Sequence, residues 1–300
     1  MTTPGFTVAM ADYARDADAL HAVRSKVFID EQQVPAELER DTADAAGWHV
    51  LARADDGTPI GTGRLTPHGT LGRMAVLREW RGRGVGDALL AGLLGQARVL
   101  GWREVRLNAQ ADAIDFYARH GFVPVGERFE EAGIEHQAMH RLLDAPTPVE
   151  TREAALSAIV AIVHGARRQV RIYSRELDPG LLDAPAVMST LRRWATAGGT
   201  VQVLLQDIAA PQRALAPMIA LAQRLPSAFE FRVIEEPVDR GYPSAFIVND
   251  TGGWYFRPLG HRFDGEVRID GAARARQLHA TFEPVWERAR GVTEFRALGI

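Results

Sequence analysis

The segment REWRGRGVGDALL, Arg78–Leu90, holds residues able to bind a charged ligand. Gly82, Gly84 and Gly86 alternate with Arg81, Arg83 and Val85 before an apolar helical pattern begins. Glycines at this spacing adopt backbone angles closed to other residues and let a ligand approach the main chain. A helix starting near Gly86 would direct its unbonded amides and the positive end of its dipole into the loop. Arg81 and Arg83 would add charge-assisted bonds. Phosphate is the group such a site suits best. A P-loop is excluded because it needs Gly-Lys-Ser/Thr. The dinucleotide fingerprint is excluded too, because the spacing is G-x-G-x-G with no suitably placed acid on a following strand. A solvated basic turn is the alternative reading of the same residues.

Other chemistry is limited by composition. The 300 residues contain no cysteine, so disulfides, thiolate nucleophiles and cysteine-rich metal sites are excluded. Lys26 is the only lysine, so no other lysine is available for a catalytic role. His136 and His140 share one strand face, but no carboxylate spacing accompanies them, and no metal is expected.

The elements that must position these groups read as two α/β halves. A strand at 6–11 precedes a helix at 16–32 with apolar spacing at Leu20, Val23, Val27 and Phe28. Segments 47–54 and 59–67 flank an Asp-Asp-Gly turn and read as a hairpin. A strand at 71–77 enters the basic loop, and the following helix runs to about Leu100. A strand at 104–110, a short helix at 112–120 capped by Gly121 and two late strands complete this half. Pro146 and Pro148 mark a linker at 144–150 between domains at 1–143 and 151–300. The second half reads as helices at 151–166, 183–197, 211–225 and 271–290. Between and beyond them lie strands at 169–174 and 200–207, then FEFRVIE, SAFIVND and GWYFRP. This alternation implies a parallel or mixed sheet covered by helices.

With 46% hydrophobic and 24% charged residues the balance is that of a soluble globular chain. A net charge of -3 supplies no basic field for nucleic acid. Neither a signal peptide nor a membrane-spanning stretch is evident, so a cytoplasmic location is expected.

The order of motifs carries a resemblance. RGRGVG (81–86) matches the R/Q-x-x-G-x-G/A signature of the GCN5-related N-acetyltransferase (GNAT) family, between the strand GRMAVL and an amphipathic helix. RLNAQADAIDFYARHGFVPVG is similar to that family's strand, short helix and FYxxxGF segment. VRSKVFIDEQQVP and DTADAAGWHVLA resemble its ElaA/YjcF-like branch. The resemblance covers about residues 5–143 and implies a mixed, splayed central sheet with flanking helices. It further implies that Arg81, Gly82, Arg83, Gly84, Val85 and Gly86 cradle the pyrophosphate of acetyl-CoA. Backbone groups near Met74, Ala75 and Val76 would hold the pantetheine and polarise the carbonyl, and Asn108 would lie on the strand splayed from them.

Transfer to an amine needs a deprotonated nucleophile, a stabilised oxyanion and a proton for the departing thiolate. Tyr117 matches the tyrosine this family uses as general acid; as a structural residue it would pack beside Phe116 and Phe122. Glu31, at the end of the first helix, is the candidate base. Glu37, Glu39, Asp41 and Asp44 form an acidic run that would attract a cationic acceptor or simply be solvated. His49 reads as a base or as a hydrogen-bonded strand histidine. The acceptor is expected to be a small-molecule or protein amine, with no nucleic acid or membrane partner. The competing expectation is a regulatory protein that binds acetyl-CoA without turnover.

Residues 151–300 resemble a phospholipase D-like α/β domain in IVAIVHGARRQVRIYSRELDPGLLD and the terminal FEPVWERAR. That chemistry requires H-x-K-x-x-x-x-D. This half has only His164, His261 and His279 and no lysine, so a catalytically inactive domain is expected.

Overall fold

A computed structural model describes residues 5–213, 216–293 and 295. The chain divides into two compact units, one of residues 1–111 and 126–144, the other of 112–125 and 145–300. Residues 112–125, expected with the first domain, thus belong to the second unit.

In the first unit, β1 (Phe6–Ala11), α1 (Tyr13–Arg24) and α2 (Ala36–Glu39) precede β2 (Trp48–Ala54), β3 (Pro59–Leu65) and β4 (Thr70–Val76). Then come α3 (Val85–Val99), β5 (Glu104–Gln110), the strand β6 (Val123–Glu131), whose first three residues fall in the second unit, and β7 (Ile134–Leu142). The strand order is β1-β2-β3-β4-β5-β7-β6. Asp12 caps α1 by accepting from the Ala14 amide at 3.0 Å. Past Arg24 the expected single helix widens into a π-helical segment, Ser25–Glu31. The expected hairpin forms, with Gly57 at φ 86° in its turn.

α3 buries Val85, Leu89, Leu90, Leu93, Leu94 and Ala97 and packs on β2 and β3. Its close approach depends on glycine. A Cβ at Gly63 would lie 2.5 Å from the Met74 sulfur and 2.9 Å from Leu93, and one at Gly61 would lie 2.9 Å from Leu89.

The second unit holds α4 (Ile114–Arg119), β8 (Thr147–Val149), α5 (Arg152–Gly165), β9 (Gln169–Ser174), α6 (Pro185–Thr196) and β10 (Thr200–Leu205). It continues through α7 (Ala209–Arg213), α8 (Pro217–Arg224), β11 (Phe229–Val233), α9 (Pro237–Arg240) and β12 (Ala245–Asn249). β13 (Trp254–Arg257), β14 (Gly265–Arg268), α10 (Ala272–Arg288) and β15 (Arg290–Gly291) finish it. The helix expected over 211–225 is thus α7 and α8; residues 214 and 215 lie outside the described residues.

Its sheet runs β15-β11-β10-β9-β12-β13-β14-β8 and is mixed. β11, β10 and β9 are parallel, and β12, β13, β14 and β8 join antiparallel. α5 is apolar on nearly every side because it lies among α4, α6, β12 and β13. That packing is why the segment around α4 belongs to this unit. The proline-marked linker also holds more order than expected. β8 pairs with β14, and Pro148 fits there because an edge strand tolerates a missing amide donor.

Candidate functional site

In the first unit, β4 and β5 run parallel for only two pairs, Thr70 with Arg106 and Leu71 with Leu107. Beyond them β4 keeps β3 as its partner, and β5 keeps β7 through Gln110. The sheet therefore opens between residues 72–76 and 108–110. Met74, Ala75 and Val76 lie on one arm of the opening and exposed Asn108 on the other. The opening coincides with an irregularity in β4, where Arg73 takes φ 50°, an uncommon conformation for a residue with a side chain.

β4 leads directly into the basic loop. Gly82 at φ 71° and Gly84 at φ 83° need the left-handed region, and a Cβ on either would meet nothing within 4 Å. Gly84 caps α3 without any side-chain hydrogen bond, and Val85 is its first residue, one earlier than expected. The first-turn amides of a 15-residue helix therefore face an open, exposed loop. Arg83 stacks over Trp80 at 5.1 Å. Arg81 is engaged: its Nε donates to the Val76 carbonyl at 3.0 Å, and its two terminal nitrogens donate to Glu31 at 2.6 and 2.8 Å. Those bonds hold the Glu31 carboxyl below its ordinary range, which weakens it as a proton acceptor. Next along the chain, Gln32 exchanges side-chain hydrogen bonds with Gln110 at 3.2 and 3.1 Å. The end of the π-helical segment thus ties the loop after β4 to the end of β5.

The acidic run is largely not a solvated loop. Glu39 and Asp44 are 2% exposed, and Arg24 beneath them is fully buried. Arg24 donates to both carboxylates, reaching Asp44 at 2.9 and 3.1 Å, and donates to the Glu39 carbonyl at 2.6 Å. Arg64 from β3 bonds Asp44 at 2.6 Å and Asp41 at 2.5 and 2.9 Å. Arg73 reaches Asp41 and the carbonyls of Leu38 and Glu39 at 3.0–3.1 Å. Burial opposes the Asp44 charge, yet Arg24 and Arg64 outweigh it and hold the carboxyl below its ordinary range. The bonds from Arg64 do the same for Asp41. Glu37 remains exposed.

His49 is 1% exposed, stacks on Tyr13 and donates through Nε2 to the Asp44 carbonyl at 2.8 Å. Burial lowers its pKa and keeps the ring neutral. It is a structural histidine of this network. His140 pairs with Glu104 at 2.9 Å, and His136 bonds the Ile134 carbonyl.

Tyr117 lies on α4, in the second unit, packed edge-on against Phe116 and Phe122. Burial pushes its phenol pKa up, so the hydroxyl stays protonated at neutral pH. Residue type and spacing give Arg24, Arg64 and Arg73 no evident role in the sequence. A signal existed for the first: Arg24 sits on the buried stripe of Leu20 and Val27.

Comparison with known proteins follows the two halves. Residues 11–143 match the acetyltransferase (GNAT) domain model. Residues 151–298 match a domain of unknown function, DUF7931. Over 121 residues the chain is 38% identical to the uncharacterized N-acetyltransferase YjcF of Bacillus subtilis, spanning 39% of this chain and 86% of that protein. It is 31% identical over 132 residues to the UPF0039 protein sll0451 of Synechocystis, spanning 41% and 85%. Among solved structures, Escherichia coli ElaA is 28% identical with a TM-score of 0.42, covering 45% of this chain and 99% of ElaA. An acyl-CoA N-acyltransferase from Pseudomonas aeruginosa is 30% identical with a TM-score of 0.41, covering 45% and 99%.

Proposed function

Because the chain belongs through residues 11–143 to the GNAT acetyltransferase family, and is therefore an acyltransferase, we propose that it transfers acetyl from acetyl-CoA to an amine by direct attack. The observation that carries this reading is the opening between β4 and β5, which leads through the short turn Arg78–Trp80 into the glycine loop and the uncapped end of α3. That arrangement supports a thioester lying between the strands with its pyrophosphate on the loop. Gly82 and Gly84 leave the backbone open to phosphate, and the amides at the start of α3 supply donors. Met74, Ala75, Val76 and Asn108 line the two arms and would hold the pantetheine.

In the reaction, the neutral amine forms a C–N bond to the thioester carbonyl carbon and the C–S bond breaks. The departing thiolate takes a proton, and the amine nitrogen gives one up. We assign the first proton to Tyr117, whose buried phenol is protonated at neutral pH. Glu31 we read as the residue that orients Arg81 rather than as the base, since it is a weak acceptor in that pair. The second proton then leaves through water. The acceptor is a small-molecule or protein amine.

We read the second domain as a phospholipase D-like α/β fold without that family's chemistry. SAFIVND offers neither histidine nor lysine, and its strand β12 is buried throughout. Asn249 at its end is spent on structure: it donates to the Ile162 carbonyl at 2.8 Å and accepts from the Gly253 amide at 2.7 Å.

The test is release of free coenzyme A from acetyl-CoA on addition of a panel of primary amines to the full chain. Amine-dependent thiol release with matching N-acetyl product is expected. Acetyl-CoA binding with no thiol release across the panel would favour the non-catalytic, regulatory alternative.

A further inference from the structure

Within the second unit, the turn after β9 and the loop after β13 are both built around one buried ion pair. Arg257 is 3% exposed and Asp178 8%, and they form a salt bridge. The Arg257 guanidinium also donates to the carbonyls of Gly260 and Arg262, each at 3.1 Å, which folds residues 258–263 around it. On the other side, Leu177 at φ 64° and Asp178 at φ 39° are consecutive non-glycine residues in the left-handed region. Such backbone is uncommon for residues with side chains and concentrates at ligand sites.

The two segments and the start of α5 line a cavity of about 270 Å³, with Arg152, Arg175, Arg257, His261 and Arg262 beside Glu176 and Asp178. Asp178 is committed to Arg257, and Arg262 pairs with Asp264 at 2.5 Å. Arg152 and Arg175 have no carboxylate partner among the described residues, and Glu176 offsets only one of them, so beyond its ion pairs the lining keeps one net positive charge. Arg257 Nε is buried and makes no hydrogen bond among the described residues. Arg152 is the first residue of the 14-residue α5, whose positive dipole end adds to the same field.

We propose that this cavity binds the phosphoryl group of a phosphomonoester. Two guanidinium groups without carboxylate partners suit a tetrahedral dianion, because each presents paired donors. The volume holds a phosphate with a short organic stem. Residues 151–300 hold no lysine, so the site lacks the histidine–lysine pair of phospholipase D chemistry, and the role assigned to it is binding.

The test is calorimetric titration of inorganic phosphate into the full chain, wild type and R152Q/R175Q. Both side chains are exposed, so the double variant should keep its melting temperature. Saturable phosphate binding is expected in the wild type, weakened at least about tenfold in the variant. Hydrogen exchange should show phosphate-dependent protection of residues 175–181 and 257–263. A parallel arm uses phosphatidylcholine vesicles with and without phosphatidic acid. Phosphate binding without vesicle capture supports the site and makes the source soluble. Capture by phosphatidic acid that the double variant loses supports the site and makes the source a headgroup. Equal phosphate affinity in both proteins, or no saturable binding and no capture, overturns the proposal.

Discussion

Arg24→Met lowers the stability of the first unit by about 3–5 kcal/mol, the usual cost of removing one partner from a buried ion pair. The arginine is fully buried and bonds two carboxylates that are themselves 2% exposed. Without it, Asp44 keeps Arg64, but among the described residues Glu39 keeps only His21 at 3.5 Å and the exposed Arg40 at 3.9 Å. A methionine fills similar volume, so the loss reports stranded charge rather than a cavity. The check is urea unfolding of the full chain, with hydrogen exchange in α1 and β2 placing the loss. The double variant R24M/E39M should be more stable than R24M alone, because it removes the stranded carboxylate. A loss below about 1 kcal/mol in R24M would show that the network carries little of the fold.

Tyr117→Phe lowers turnover on the order of a hundredfold while leaving acetyl-CoA affinity nearly intact. The hydroxyl matters only as the thiolate departs, whereas the ring's contacts with Phe116 and Phe122 survive in phenylalanine. Single-turnover rates and equilibrium binding together check this. An unchanged rate with chemistry limiting would return Tyr117 to a packing role.

The elements were legible because their signals are local. The Asp-Asp-Gly turn marks the hairpin of β2 and β3, and the apolar stripe of α3 follows the glycine loop. What stayed hidden depends on pairing between distant segments. Pro146 and Pro148 mark residues 144–150 as a linker, and the place of Pro148 at the sheet edge is what makes β8 possible. The short helix around Tyr117 follows β5 in sequence, yet α4 packs on α5, and chain order carries no sign of that. Glu37 to Asp44 reads as a solvated acidic run until Arg24, Arg64 and Arg73 arrive from three separate elements. Position at the end of the first helix makes Glu31 a candidate base. Its partner Arg81 lies fifty residues away, and that contact determines its basicity.

The measurement that bears most directly on the site is the affinity of acetyl-CoA for the wild type and for a folded Gly84→Trp variant, by calorimetry. Gly84 stands at φ 83° with open space where a Cβ would project, at the cap of α3. A tryptophan there covers the amides and strains the turn without striking the core. Binding by the wild type and its loss in the variant is the predicted result. Equal affinity in both, with the variant's fold intact, would contradict a pyrophosphate site on this loop.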